Sequence, residues 1–400
     1  MPTDTQTLRH PASGEFPAVD WAAARDLMLL DPTVTYLNAG SIGPLPRTVF
    51  EQVSGYRRHL AAEPVDFQLR RLPPLLSAAR ERLARYLDGD PRQLVLTTNV
   101  TGAVNLVASG LSLASPGEIL LTDQEYGPMR ECWQRAAQRQ GLAVKVLRLP
   151  RDPAGPDEIA AAAAAAMSAR TRMFFFSHVI SATGLVMPVH QLCDLAAARG
   201  ITTVVDGAHG PAFTDLDLAD LPCDYYAGSA HKWLLAPVGT GFLHCGPGAL
   251  ERLEPMQVSW GYRQPLRRFE VEGTRDICPW LVLPEATDVQ AGIGPPRVMA
   301  RMRELAGQVR ERLTGRRGLI PVTPDHPALS GGMTAFALPV GTDAAALSLG
   351  LWERFRVDVA VIEDPRRPLI RVSTHFFNTT DDIERLAEAL ESLLRGVRTR

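Results

Sequence analysis

Of the 42 basic residues in the chain, only two are lysines, Lys145 and Lys232. Arginine supplies surface charge and ion pairs as well as lysine does, but its guanidinium stays protonated and forms no imine. A lysine kept in so arginine-rich a chain is therefore the first place to look for amine chemistry. Lys145 falls in the alternating run 143–147 and reads as a solvated strand position. Lys232 falls in Tyr225-Tyr226-Ala227-Gly228-Ser229-Ala230-His231-Lys232-Trp233, after a run of small residues, and is the stronger candidate.

Four further groups could serve such an amine. Val204-Val205-Asp206-Gly207-Ala208-His209 puts a carboxylate at the end of an apolar strand, 26 residues before Lys232. A buried carboxylate is costly without a cationic or hydrogen-bonding partner; a turn or helix-capping aspartate is the plainer alternative. Thr97-Thr98-Asn99-Val100-Thr101-Gly102 joins a strand to a helix start, where free amides and a hydroxyl can cradle a phosphate, although Thr101 serves equally as a simple cap. Tyr126, in Asp123-Gln124-Glu125-Tyr126-Gly127, can stack on a flat ligand or merely pack. Ser177-His178-Val179-Ile180-Ser181 forms a polar loop after an apolar strand, and His178 alone reads as structural. An amine, an isolated acid, a phosphate cradle and a stacking aromatic are the parts a pyridoxal 5'-phosphate site needs.

The elements that must position these groups alternate. Strands are expected at 34–37, 94–97, 118–121, 143–149, 172–176, 202–205 and 225–229. Helices are expected at 21–30, 101–109, 129–140, 156–168 and 189–199, with two more after residue 46 broken near Pro64 and Pro73-Pro74. Strands such as Met173-Phe174-Phe175-Phe176 are apolar without alternation, as in a sheet covered on both faces. The expected fold is α/β, a doubly wound domain with a mainly parallel sheet. After about residue 280 the pattern becomes that of a smaller α+β domain, with a helix at 295–312, strands at 333–338, 357–362 and 370–373, and a helix at 381–394. The expected division is a tail and helix over 1–33 (1–16 a loose tail), a large domain over 34–280 and a small C-terminal domain over 281–400.

Composition excludes several classes of function. A net charge of −2 offers no electrostatic footprint for nucleic acid or an anionic membrane. No apolar run reaches the ~18 residues of a membrane span, and the polar first fifteen residues carry no apolar leader. Five scattered cysteines show no metal spacing and read as reduced thiols of a cytoplasmic protein, so no metal site is expected.

The order and spacing of these motifs resemble the class V aminotransferase group of fold-type I pyridoxal phosphate enzymes, from about Val34 to the C-terminus. The pair Asp206-Gly207-Ala208-His209 and Gly228-Ser229-Ala230-His231-Lys232-Trp233 carries the resemblance. Longer stretches, among them Gly43-Pro44-Leu45-Pro46-Arg47, Gly273-Thr274-Arg275-Asp276 and Arg371-Val372-Ser373-Thr374-His375-Phe376, are similar to epimerases of that group. The resemblance implies that Lys232 is the imine lysine, that Asp206 faces the pyridine nitrogen, that His209 lies near the phenolic oxygen and that Tyr126 stacks on the ring. It implies phosphate contacts from Asn99, Val100, Thr101, Ser229 and His231, with Ser181 at the cofactor. Arg371 would grip the substrate α-carboxylate by a bidentate pair. A homodimer is implied in which the partner reaches into the site, and Thr274 lies where that segment would be.

Two departures separate the chain from the desulfurases of the group. Ser181 stands where they have asparagine, and the stretch 359–369 holds no cysteine to act as a sulfur nucleophile. The activity implied is inversion at the α-carbon of an amino acid, with the L-aminoadipyl arm of isopenicillin N as substrate and Lys232 as base. The other face requires a second acid, for which Tyr126, His178 and His375 are the candidates. The alternatives are a lyase acting on a sulfur-linked amino acid, a decarboxylating or deaminating enzyme, and a cofactor-binding regulatory protein without turnover.

Overall fold

The computed structural model describes residues 19–271, 273–364 and 367–395; the tail expected over 1–16 lies outside them. A short strand β1 (Thr35–Tyr36) precedes a seven-stranded sheet made of β2 (Leu94–Thr97), β3 (Glu118–Thr122), β4 (Ala143–Leu147), β5 (Thr171–Ser177), β6 (Thr202–Gly207), β7 (Tyr225–Ser229) and β8 (Gly241–Cys245). Their order across the sheet is β2-β8-β7-β6-β5-β3-β4. From β4 to β7 every pairing is parallel, and β8 alone runs against its neighbours. The fold is therefore the expected α/β type with a mainly parallel sheet.

Residues of β5 alternate between two cores. Phe174 and Phe176 pack into one hydrophobic cluster, whereas Met173 and Phe175 pack into another on the opposite face. This is why the strand is continuously apolar in sequence: both of its faces are covered by helices. Leu120 of β3 and Val205 of β6 join the first cluster, and Leu121 and Val204 join the second.

A second sheet, in the order β12-β13-β10-β9, is built from β9 (Ile320–Pro321), β10 (Met333–Ala337), β12 (Ala360–Ile362) and β13 (Leu369–Ser373), all antiparallel. β11 (Val357–Asp358) leaves it to pair in parallel with β1. The single strand expected over 357–362 is thus two, because its halves serve different sheets. A third cluster, including Phe336, Ile370 and Leu386, forms the core here.

Other expectations are corrected by the structure. Gly241–Cys245, fully buried, was not expected as a strand. The first helix ends at Asp26 rather than residue 30. A break does occur at Pro64, but none at Pro73-Pro74. There a π-helical turn, Phe67–Arg71, leads straight into the helix Leu72–Tyr86. Prolines in a helix's first turn lack only amides that have no partner inside that helix.

Candidate functional site

Strand ends create the site. Asp206, next to last in β6, lies in register with Ser177 of β5 and Ala227 of β7. On the other side of β7, Gly241 pairs with both Ser229 and Thr97, so the ends of β2 and β7 share one edge with the start of β8. The turns leaving this edge enclose a cavity of about 310 Å³, at the small end of ligand sites. It is lined by Asn99, Val100, Thr101, Tyr126, Ser181, Asp206, His209, Ser229, His231, Lys232 and Arg371, together with Gly40, Ser41, Met129, Ser177, Val179 and Ala208. Eleven of the twelve residues that the resemblance assigns to cofactor or substrate therefore come together.

The amine and the acid are both buried. Burial lowers the Lys232 ammonium to about 8, with Asp206 opposing that shift and Arg371 adding to it. Burial likewise raises the Asp206 carboxyl, while a hydrogen bond from the Ala208 amide at 2.9 Å and the charge of Lys232 pull it back. Lys232 Nζ lies 3.3 Å from Nε2 of His209, and the Trp233 indole N–H donates to His209 Nδ1 at 3.1 Å. Burial drives His209 well below its usual range, so its ring is neutral. The Lys232 backbone is pressed against the segment after β1: a Cβ at Gly43 would lie 2.0 Å from the Lys232 carbonyl oxygen.

On the anion side, the helix Val100–Gly110 opens onto the cavity. The Asn99 side chain caps it by accepting from the Gly102 amide at 2.8 Å. The amides of the first turn, among them Val100 and Thr101, have no partner inside the helix and carry its positive dipole end.

Arg371, on β13 of the second sheet, reaches the same cavity while buried to 3% exposure. It donates to the Ser181 carbonyl at 2.7 Å, the Ser181 hydroxyl at 3.2 Å, the Ser41 hydroxyl at 3.0 Å and the Asn38 side-chain oxygen at 3.4 Å. All four acceptors are neutral, and its Nε is buried without a partner. Burial lowers it to about 10, still a cation at neutral pH. A buried guanidinium held by neutral oxygens is a receptor for a carboxylate.

Thr274 is the residue the structure does not bring to this cavity. It lines another of about 770 Å³, with Arg80, Trp260, Arg267 and Trp280. Two of the three candidates for a second acid also stand apart. His375 is fully buried, accepting at Nδ1 from the Phe376 amide at 2.9 Å and meeting the Trp233 carbonyl with Nε2 at 3.0 Å, so both ring nitrogens are occupied. His178 is bound to the Tyr226 hydroxyl at 2.8 Å, and burial lowers it to about 4. Only Tyr126, 54% exposed, lines the cavity.

Sequence reading missed several contributors. Asn38 and Ser41 carried no functional expectation. Glu125 had no assigned role, yet it is a buried carboxyl that accepts from Thr122 and Ser177 hydroxyls at 2.5 Å each. Burial raises it to about 7, with the charge of Asp206 reinforcing the shift. The signal available in sequence was its place beside Tyr126 after a buried strand.

The donor set fits pyridoxal phosphate. A buried amine of lowered pKa suits its aldehyde, a buried acid its ring nitrogen, a helix start with hydroxyls its phosphate, and the unpaired Arg371 Nε and neutral acceptors leave room for a carboxylate beside it. Among the described residues there is no group of three or more His, Cys, Asp or Glu side chains that could hold a metal.

Comparison with known proteins gives a match to the aminotransferase class-V family over residues 35–386. The chain is 59% identical over 391 residues to the isopenicillin N epimerase of Streptomyces clavuligerus, covering 94% of this chain and 98% of that protein. It is 60% identical over 395 residues to the isopenicillin N epimerase of Amycolatopsis lactamdurans, covering 94% and 99%. Among solved structures, the cystine C-S lyase C-DES in complex with cysteine persulfide superposes with a TM-score of 0.83 at 24% identity, covering 90% of this chain and 98% of that one. A mutant of that lyase, described with glycine covalently linked to its PLP cofactor, gives the same TM-score of 0.83 at 24% identity, covering 90% and 97%.

Proposed function

The chain belongs to the aminotransferase class-V family, and on that premise we propose that it uses pyridoxal 5'-phosphate to epimerise the aminoadipyl α-carbon of isopenicillin N, yielding penicillin N for β-lactam antibiotic biosynthesis. The observation that carries the reading is the pairing of a buried Lys232 amine, lowered to about 8, with a buried Arg371 that has only neutral partners. A base and a carboxylate receptor thus share one cavity, and about 60% identity to two isopenicillin N epimerases supplies the substrate class.

When bound, the cofactor acidifies the Cα–H bond by drawing the electron pair left at Cα into its protonated ring. The chain's residues do the rest. Lys232 would hold the cofactor and, once the substrate amine has taken its place there, would be free as a buried amine of lowered pKa to take the Cα proton. Asp206 would keep the ring nitrogen protonated, and Asn99, Val100, Thr101, Ser229 and His231 would hold the phosphate. Tyr126 would pack on the ring, Ser181 and His209 would contact the cofactor, and Arg371 would hold the α-carboxylate. For the opposite face this reading takes Tyr126, since His178 and His375 are engaged elsewhere.

The same reading makes the protein a cytoplasmic homodimer whose partner supplies Thr274. Support comes from the cavity holding Thr274 and from Trp260 on its rim, 86% exposed. All five cysteines are free, four of them buried, as thiols are in a reducing compartment. No helix among the described residues is long and apolar enough to cross a membrane.

Incubation with isopenicillin N in deuterium oxide tests the activity. One deuteron should enter at Cα, and substrate should return with mixed configuration. Absence of exchange and inversion, or release of thiol, keto acid or carbon dioxide, would overturn it.

A further inference from the structure

We propose that Trp233 is a positioning residue whose indole N–H holds His209 in one neutral tautomer, with the proton on Nε2, so that His209 presents a hydrogen-bond donor to the cavity beside Lys232. An indole nitrogen can only donate. Its contact with His209 Nδ1 is 3.1 Å, so Nδ1 must be the acceptor. A neutral imidazole carries a single N–H, which is then on Nε2. Protonating Nδ1 would point two N–H groups at each other in a buried site, which agrees with a ring held well below its usual pKa, chiefly by burial.

Nε2 faces Lys232 Nζ at 3.3 Å. An N–H there finds an acceptor only when the amine is unprotonated, so the same contact favours neutral Lys232. On the proposed function, which this inference extends, His209 would also meet the phenolic oxygen of the cofactor, and it would arrive there as a donor.

The indole has little freedom to abandon the contact. Its ring lies 4.6 Å from Phe213 and 5.9 Å from His375, centroid to centroid. The Trp233 carbonyl is met by Gln290 Nε2 and His375 Nε2, each at 3.0 Å. The Phe376 amide donates to His375 Nδ1, so His375 too carries its proton on Nε2 and donates to that carbonyl. Two successive tautomers are thus set by donors that cannot accept, and both act on the residue next to Lys232.

The test is nitrogen NMR on cofactor-free protein carrying 15N-histidine, with the His209 signals assigned by their loss in His209→Gln. His209 should show an unprotonated Nδ1 and a protonated Nε2. Trp233→Phe keeps an aromatic ring but removes the N–H, and both nitrogens should move to the averaged values of mixed tautomers. A protonated Nδ1 in the wild type, or a single Nε2–H tautomer surviving in Trp233→Phe, would overturn the proposal. If Trp233→Phe does not fold, the wild-type spectrum alone decides: an unprotonated Nδ1 supports the proposal. No cofactor or substrate takes part, so this result and the deuterium-exchange result fail independently.

Discussion

Arg371 donates at 2.7 Å to the carbonyl of Ser181, joining β13 of the small sheet to the loop after β5 of the large one. The contact is local in space and 190 residues apart in sequence. It aims a cation at the cavity while using only neutral acceptors, so the charge remains available to a ligand.

Replacing Arg371 with lysine keeps the charge and loses the planar fork. Losing half of a charged, buried pair costs about 2 kcal/mol, or roughly 30-fold in kcat/KM. The loss should appear for α-amino acid substrates in steady-state kinetics. Unchanged kcat/KM would remove Arg371 from carboxylate binding.

Lys232→Ala should abolish the covalent cofactor absorbance and lower Cα deuterium exchange by about 10²- to 10⁴-fold, the usual worth of a positioned base. Lys232→Arg should be no better, because a guanidinium stays protonated. Retention of the absorbance band in either variant would contradict the assignment.

Folding of the cofactor-free protein should feel Lys232 at alkaline pH. Its folded value of about 8 is below the ordinary 10.5. Between these values the unfolded chain binds more protons, so the Lys232 contribution to stability rises with pH across that window. Urea denaturation of wild type and Lys232→Met should show a stability difference that moves in favour of wild type from pH 8 to 10.5. A flat difference would mean that Lys232 is not shifted.

Glu125 behaves in the opposite sense. Its folded value of about 7 exceeds the ordinary 4.5. Its contribution is complete below 4.5 and declines as pH rises to 7. Glu125→Gln should remove this decline, which is read by comparing denaturant midpoints at a series of pH values. Parallel curves for the two proteins would refute it.

Glu270 secures the sheet's edge. It accepts from the Leu96 amide of β2 at 2.9 Å and pairs with Arg80 at 2.7 Å, with side-chain exposures of 1% for Glu270 and 12% for Arg80. Glu270→Ala strands both donors, and breaking a buried pair costs about 3–5 kcal/mol. Thermal and chemical denaturation should show that loss; a change below about 1 kcal/mol would place the pair with weak surface bridges.

Much of this protein was legible in its sequence because parallel sheets write themselves into composition. Strands buried on both faces must be apolar throughout, so β5 and β6 were visible, and the polar residues that end them, Ser177 and Asp206, marked the ligand edge. Lys232 was legible by rarity and then by its distance from Asp206. β8 was missed because it is a five-residue run, Gly241–Cys245, interrupted by His244, and nothing in so short a run states which way it will pair.

Residue types and spacing determined the chemistry on offer: an amine, an acid, an anion-binding turn and an arginine. Tertiary structure alone decided which groups could meet. It brought Arg371 to Ser181, Ser41 and Asn38, turned His178 and His375 toward other partners, sent Thr274 to another cavity and set Trp233 behind His209. The physical reason is that local sequence governs backbone periodicity and burial, whereas hydrogen-bond direction and distance across hundreds of residues arise only when separate strand ends are packed against one another.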